Sequence, residues 1–170
     1  MRRLIPLLCS GLLAAPALAA ELKLDIEVPR LNVAEYHRPY VAVWIEKPDN
    51  SVAANLAVWY DTKMRNDEGT KWLKDMRQWW RRIGRDVAVP IDGVTSATRA
   101  PGMHSISFVE GKSPLGKLAA GEYRLQIEAA REAGGRELVT IPFQWPPKQA
   151  VVEKAKGEHE LGALSLELKP

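Results

Sequence analysis

Apolar and polar residues alternate with period two in seven stretches of the chain. Leu22, Leu24, Ile26 and Val28 alternate with Lys23, Asp25 and Glu27; Val41, Val43 and Ile45 with Ala42 and Trp44; Leu56, Val58 and Tyr60 with Ala57 and Trp59. The later stretches carry Ile106 and Phe108, then Tyr123, Leu125, Ile127 and Ala129, then Val139, Ile141 and Phe143, and finally Leu164, Leu166 and Leu168. Period two places alternate side chains on opposite faces of a strand, so each stretch reads as half-buried β-structure. Turn chemistry separates them at Lys47-Pro48-Asp49-Asn50, Ala100-Pro101-Gly102, Ser113-Pro114-Leu115-Gly116, Ala120-Gly121 and Ala133-Gly134-Gly135. Seven or so short strands punctuated in this way predict an all-β fold, an antiparallel β-sandwich of immunoglobulin-like type.

Two segments depart from the pattern. From Thr70 to Ile83 the apolar residues Trp72, Met76, Trp79 or Trp80, and Ile83 recur at three- and four-residue spacing, and Gly84 follows. This spacing predicts an inserted amphipathic helix covering one edge or end of the sandwich. After Trp145, the pair Pro146-Pro147 and the charged stretch Val152 to Glu160 read as a mobile connection to the last strand.

The amino terminus changes the picture of compartment. Arg2 and Arg3 precede a short apolar stretch that ends in Ala17-Leu18-Ala19, the form of a secretory signal peptide over residues 1–19. The apolar part is too short to span a bilayer as a helix. Cys9, the only cysteine, falls inside this leader, which leaves the mature domain without a disulfide or thiol ligand. Pro6 and Leu8 stand where a lipoprotein signal needs Leu and a small residue. Residues 20–170, 151 residues in all, fit one domain. Losing Arg2 and Arg3 reduces the net charge from +3 to +1, so nucleic acid is not an expected partner.

The candidate chemistry lies in Asp92-Gly93-Val94-Thr95-Ser96-Ala97-Thr98. This D-x-x-[ST]-x-A-[ST] run resembles the acceptor site of flavin-carrying subunits, in which an ApbE-type transferase joins the phosphate of FMN to a hydroxyl. The resemblance makes Thr98 the acceptor, Asp92 the carboxylate that opens the motif and Thr95 its internal hydroxyl. Ser96 stands where the usual form has Gly, and it adds a second hydroxyl near the acceptor. An acceptor loop must enter another active site, and the small residues Gly93, Ser96 and Ala97 let a backbone approach closely. Read without the resemblance, the same run is a polar turn.

A second resemblance spans nearly all of the mature chain. The segments from Pro29 to Glu46, Leu56 to Asp61, Trp72 to Trp80 and Glu128 to Glu132 resemble the periplasmic domain of unknown function 2271 family. That resemblance implies a small exported β-sandwich found beside PepSY-type membrane reductases and flavin transferases, with iron acquisition as the setting.

Other features admit two readings. Trp44 and Trp59 fall opposite the aliphatic residues of their strands, where an isoalloxazine ring could stack; packing under the inserted helix is the ordinary alternative. Lys71, Lys74, Arg77, Arg81, Arg82 and Arg85 make one side of the helix basic. Such a face is ordinarily solvated, but it also suits a phosphate, an acidic redox partner or anionic lipid. His37, His104 and His159 lack the spacing of paired metal ligands, and no metal is expected. His104 reads as a hairpin histidine with local hydrogen bonds or as a neighbour of a bound flavin. No nucleophile elbow, P-loop or dinucleotide fingerprint is present.

Together these features lead us to expect an electron carrier rather than a stand-alone enzyme. It would be exported, carry covalent FMN on Thr98, and relay electrons between a membrane reductase and an extracytoplasmic acceptor such as ferric iron. The alternative is a non-redox periplasmic module that docks on a membrane partner through the Trp- and Arg-rich helix.

Overall fold

The computed structural model describes residues 19–170. The segment read as a leader, Cys9 included, lies outside them except for Ala19. The described residues form nine strands: β1 (Glu21–Val28), β2 (Tyr40–Glu46), β3 (Val52–Tyr60), β4 (Thr95–Ala97), β5 (Gly102–Val109), β6 (Gly121–Ala130), β7 (Arg136–Trp145), β8 (Val151–Lys156) and β9 (Ala163–Lys169). They make a four-stranded sheet in the order β5-β1-β9-β8 and a five-stranded sheet in the order β4-β3-β2-β6-β7. All seven expected strands are present, and the fold is a β-sandwich.

The inner faces of the two sheets bury the period-two apolar residues. Leu22, Leu24 and Ile26 of β1 meet Val41, Val43 and Ile45 of β2, Leu125 and Ile127 of β6, and Leu164, Leu166 and Leu168 of β9. Burying each such side chain contributes about 1.5–3 kcal/mol, which makes this layer the main source of stability.

Strand β3 departs from strict alternation. Val43 pairs with Ala57 but Trp44 with Asn55, and Ile45 pairs with Ala54 but Glu46 with Val52, so Leu56 and Ala53 are extra residues at two β-bulges. Leu56 and Ala57 therefore both face the inner core. Trp59 joins them there, and Val58 and Tyr60 are turned to the outer face. This corrects the expectation that Trp59 lies opposite its aliphatic neighbours. Trp44 does face outward, but Trp44 and Trp59 are each only 1% exposed, so neither offers a surface for stacking and both are packing residues.

The insert between β3 and β4 also differs from expectation. Instead of one helix over 70–83, it is a run of 3-10 turns (Arg65–Asp75), a single short α-helix α1 (Arg77–Arg82) and a final 3-10 turn (Gly84–Asp86). Leu73, Met76 and Trp79 are buried at three-residue intervals, the period of 3-10 geometry. Trp72 consequently falls off the buried stripe and is 41% exposed. The insert covers the outer face of the five-stranded sheet rather than an edge, packing Leu73, Met76, Trp79 and Ile83 against Ala42, Trp44, Val58 and Tyr60.

Buried carboxylates of the sheet anchor this layer. Glu128, fully buried on β6, accepts from the backbone N–H groups of Gln78 (3.1 Å) and Trp79 (2.7 Å) and from Arg136 (2.7 Å). It thereby serves the amino terminus of α1, whose own preceding residue Met76 has no capping side chain. Glu46 accepts from the Trp44 indole at 2.9 Å and from Gln126 at 3.0 Å, and it lies 3.6 Å from Arg82 of α1.

The stretch read as a mobile connection is largely an edge strand. Residues Val151 to Lys156 form β8, paired with β9 from Val151↔Leu168 to Lys156↔Ala163. Its Glu153, Lys154 and Lys156 are exposed, and a charged edge of this kind hides the period-two signal while deterring edge-to-edge pairing.

Candidate functional site

The antiparallel register sets one end of the five-stranded sheet. Tyr40, the first residue of β2, pairs with Ala130, the last of β6, and Tyr60, the last of β3, pairs with Ala97, the last of the parallel strand β4. Arg136, the first residue of β7, pairs with Ala130, so the chain leaves or enters the sheet at this end five times. The flanking residues enclose a cleft of about 470 Å³, lined by Tyr36, His37 and Arg38 before β2, Asp61, Lys63 and Met64 after β3, and Trp72 and Asp75 of the insert. Ala97 and Thr98 close it beside β4, and Arg131 and Glu132 close it after β6. The volume is in the range of small-molecule and cofactor sites, about 300–1,000 Å³.

The walls combine rings and charges. Arg131 is held by Glu160 through Nε at 2.8 Å and Nη2 at 3.1 Å, and Glu160 also accepts from the Gly135 N–H at 2.7 Å. The Arg131 side chain is only 6% exposed. Its Nη1 and the Tyr36 hydroxyl are buried without a hydrogen-bond partner, and the guanidinium lies 6.0 Å from the Tyr36 ring centroid. Unpaired buried donors are costly, and a ligand can relieve that cost. Burial raises the pKa values of the Tyr36 and Tyr40 phenols, against smaller opposing effects of Arg131 on Tyr36 and of the Asp61 backbone on Tyr40. His37 bridges two carboxylates, Glu35 at 3.1 Å from Nε2 and Glu132 at 3.5 Å from Nδ1. Because they occupy opposite ring nitrogens, the three groups do not converge on one metal position.

The motif residues divide between this cleft and the turn before it. Asp92 and Gly93 are exposed at the tip of a turn, with Gly93 at φ 71°. The Thr95 hydroxyl accepts from the Ile91 N–H at 2.8 Å, and the Thr95 N–H donates to the Ile91 carbonyl at 2.9 Å, which closes the turn. Ser96 is paired with Trp59 in the sheet, so the motif's centre is edge strand rather than loop. Ala97 is exposed at the cleft. Thr98 lines the cleft half-buried; its N–H donates to the Tyr60 carbonyl at 2.9 Å and its hydroxyl to the Pro39 carbonyl at 2.5 Å. Asp92, Thr95 and Ser96 are not among the lining residues.

His104 bonds locally, with Nε2 2.7 Å from the Ala100 carbonyl, and its ring meets Trp59 edge-on. Arg99, next to Thr98, lies over Trp59, its guanidinium 4.0 Å from the ring centroid. Sequence reasoning missed Arg131, Tyr40 and the cleft role of Trp72. Tyr36 and His37 lay in the segment most like the family, but nothing in the sequence brought them beside Thr98.

The fold is a β-sandwich with a cleft at one sheet end, and one comparison with known families assigns the chain. The family model for DUF2271, described as a predicted periplasmic protein, matches residues 21–163, and the chain belongs to that family. It is a periplasmic protein, and no helix among the described residues is long and apolar enough to cross a membrane. No curated protein and no solved structure matches it.

Proposed function

We propose that this protein is a periplasmic electron carrier with FMN joined by its phosphate to the Thr98 hydroxyl. In that step a transferase moves the FMN phosphoryl group from a flavin adenine dinucleotide, so that its pyrophosphate bond breaks, AMP leaves, the hydroxyl proton is released and the protein gains the mass of FMN less one water. The observation that carries the reading is that Thr98, the last position of the acceptor-like motif, lines a cofactor-sized cleft whose other walls include the rings of Tyr36, Tyr40 and Trp72. Flat π-systems pack favourably on such rings. The buried unpaired Tyr36 hydroxyl and Arg131 Nη1 fit a ligand rich in oxygen and nitrogen acceptors.

The lining also explains why a covalent bond is useful. Its cations Arg38, Lys63 and Arg131 are matched by Asp61, Asp75 and Glu132, so the cleft has little net attraction for a phosphate. Retention in the periplasm then rests on the ester. Bound FMN supplies the redox chemistry; the chain attaches and orients it and limits its exposure to water. A membrane reductase of the PepSY type is the proposed donor, an extracytoplasmic species such as ferric iron the proposed acceptor, and an ApbE-type transferase the proposed modifying enzyme.

The test is co-expression with an ApbE-type transferase, followed by a denaturing gel viewed under ultraviolet light. A fluorescent band for the wild type and a dark one for Thr98→Ala support the reading. Dark bands for both count against it.

A further inference from the structure

The insert concentrates positive charge on one face. Residues 61–94, between β3 and β4, hold eight Lys and Arg against six carboxylates, a net of +2, whereas the other described residues hold 14 cations and 15 carboxylates, a net of −1. All eight cations are exposed, because the apolar positions Leu73, Met76, Trp79 and Ile83 are turned onto the sheet. Lys71 is paired with Glu68, Arg82 with Glu46 and Arg85 with Asp86, but among the described residues Lys63, Arg65, Lys74, Arg77 and Arg81 have no ion pair. These cations are therefore open to an outside partner although the net charge of the domain is small.

Exposed apolar groups stand among these cations. Trp72 is 41% and Met64 38% exposed, while Trp44, Trp59, Trp79 and Trp145 are buried. Trp72 and Met64 border the cleft, and the part of each left open to solvent lies in the same segment as these cations. Cations interleaved with an exposed Trp are the composition of a contact with the interfacial region of a bilayer. The segment cannot insert as an amphipathic helix, since its apolar stripe is already used against the sheet. Contact would be electrostatic, with one or two side chains reaching the headgroups.

We infer that this face docks on an anionic phospholipid surface, with Trp72 and Met64 at headgroup level. The inference does not depend on flavin attachment. It places the rim of the cleft, which Lys63, Met64 and Trp72 share with the basic face, against the membrane.

The test is cosedimentation of the mature protein with vesicles of phosphatidylcholine alone or of phosphatidylcholine mixed with phosphatidylglycerol. Binding is expected to the mixed vesicles only, and to fade as salt is raised toward about 1 M, where the screening length is about 3 Å. Replacing Lys71, Lys74 and Arg77 by Gln should weaken it about fivefold per cation removed, corresponding to about 1 kcal/mol for each basic residue at such a surface. Trp72→Ala should weaken it further and abolish the blue shift of tryptophan emission on binding. Lys154→Gln with Lys156→Gln, a charge loss on β8 away from the insert, should leave it intact. No binding to anionic vesicles at low salt, equal binding by the triple variant, or equal loss with the β8 variant would overturn the proposal. Capture of an acidic protein without vesicle binding would also overturn it.

Discussion

The Thr98 hydroxyl donates to the Pro39 carbonyl at 2.5 Å, tying the end of β4 to the chain just before β2. That bond joins two segments that are 59 residues apart and both border the cleft, through Arg38 and Tyr40 on one and Thr98 itself on the other. Thr98→Ala should lower stability by about 1 kcal/mol, the usual net worth of such a bond. Thr98→Ser, which keeps the hydroxyl, should lower it by less. Urea unfolding of the unmodified protein measures both.

The proposed attachment of FMN at Thr98 requires that bond to open. Strand β4 is only three residues long and pairs on one side only, with β3, so its release costs far less than global unfolding. Hydrogen exchange at the Ser96, Ala97 and Thr98 amides should therefore be faster than at Val41, Val43 and Ile45 in the middle of the sheet. Equal protection would mean that the motif is presented only during folding.

Glu128, fully buried on β6, holds the insert to the sheet by accepting two backbone hydrogen bonds from it, and it accepts a third from Arg136 of β7. Glu128→Ala should cost about 2–4 kcal/mol, because it leaves two helix-terminal N–H groups and Arg136 without their acceptor. Near-ultraviolet circular dichroism, sensitive to Trp44 and Trp79, should change more than the far-ultraviolet signal of the sheets.

Glu137 accepts from the backbone N–H groups of Glu158, His159, Glu160 and Leu161. Burial alone would raise its pKa, but these four donors outweigh it and hold the carboxyl below its ordinary value. A depressed folded-state pKa gives stability that is complete above the unfolded value, about 4.3, and is lost as pH falls through the folded one. Glu137→Gln should therefore unfold at lower urea than wild type at pH 7, and the gap should close as the pH is taken below about 4.3.

Gly69 marks where the insert meets the cleft. A Cβ there would lie 2.0 Å from the Asp61 backbone carbonyl oxygen, a group that cannot move aside. Gly69→Ala should destabilise by about 1–3 kcal/mol, as overpacking does, and should widen the cleft between Asp61 and Trp72.

The sandwich was legible in the sequence because half-buried strands write period two directly. All seven strands of that kind are present, whereas β4 and β8, whose side chains are mostly polar or exposed, left no such signal. The bulge at Leu56 that turns Trp59 inward was hidden for a related reason: Ala54 and Ala57 fit either face, so the strand alone does not fix its own register. The insert's three-residue spacing at Leu73, Met76 and Trp79 fits both helical periods, and only tertiary packing chose the tighter one. At the site, Thr98 was legible as a motif residue. Tyr36, Trp72 and Arg131 reach it from distant parts of the chain, through strand pairing that local sequence does not encode.

The most direct test of the account is mass spectrometry of the tryptic peptide from Asp86 to Arg99, taken from protein co-expressed with an ApbE-type transferase. The expected result is a mass gain of one FMN less one water, located by fragmentation on Thr98 and absent from Thr98→Ala. An unmodified peptide, or a flavin on Thr95 or Ser96, would contradict it.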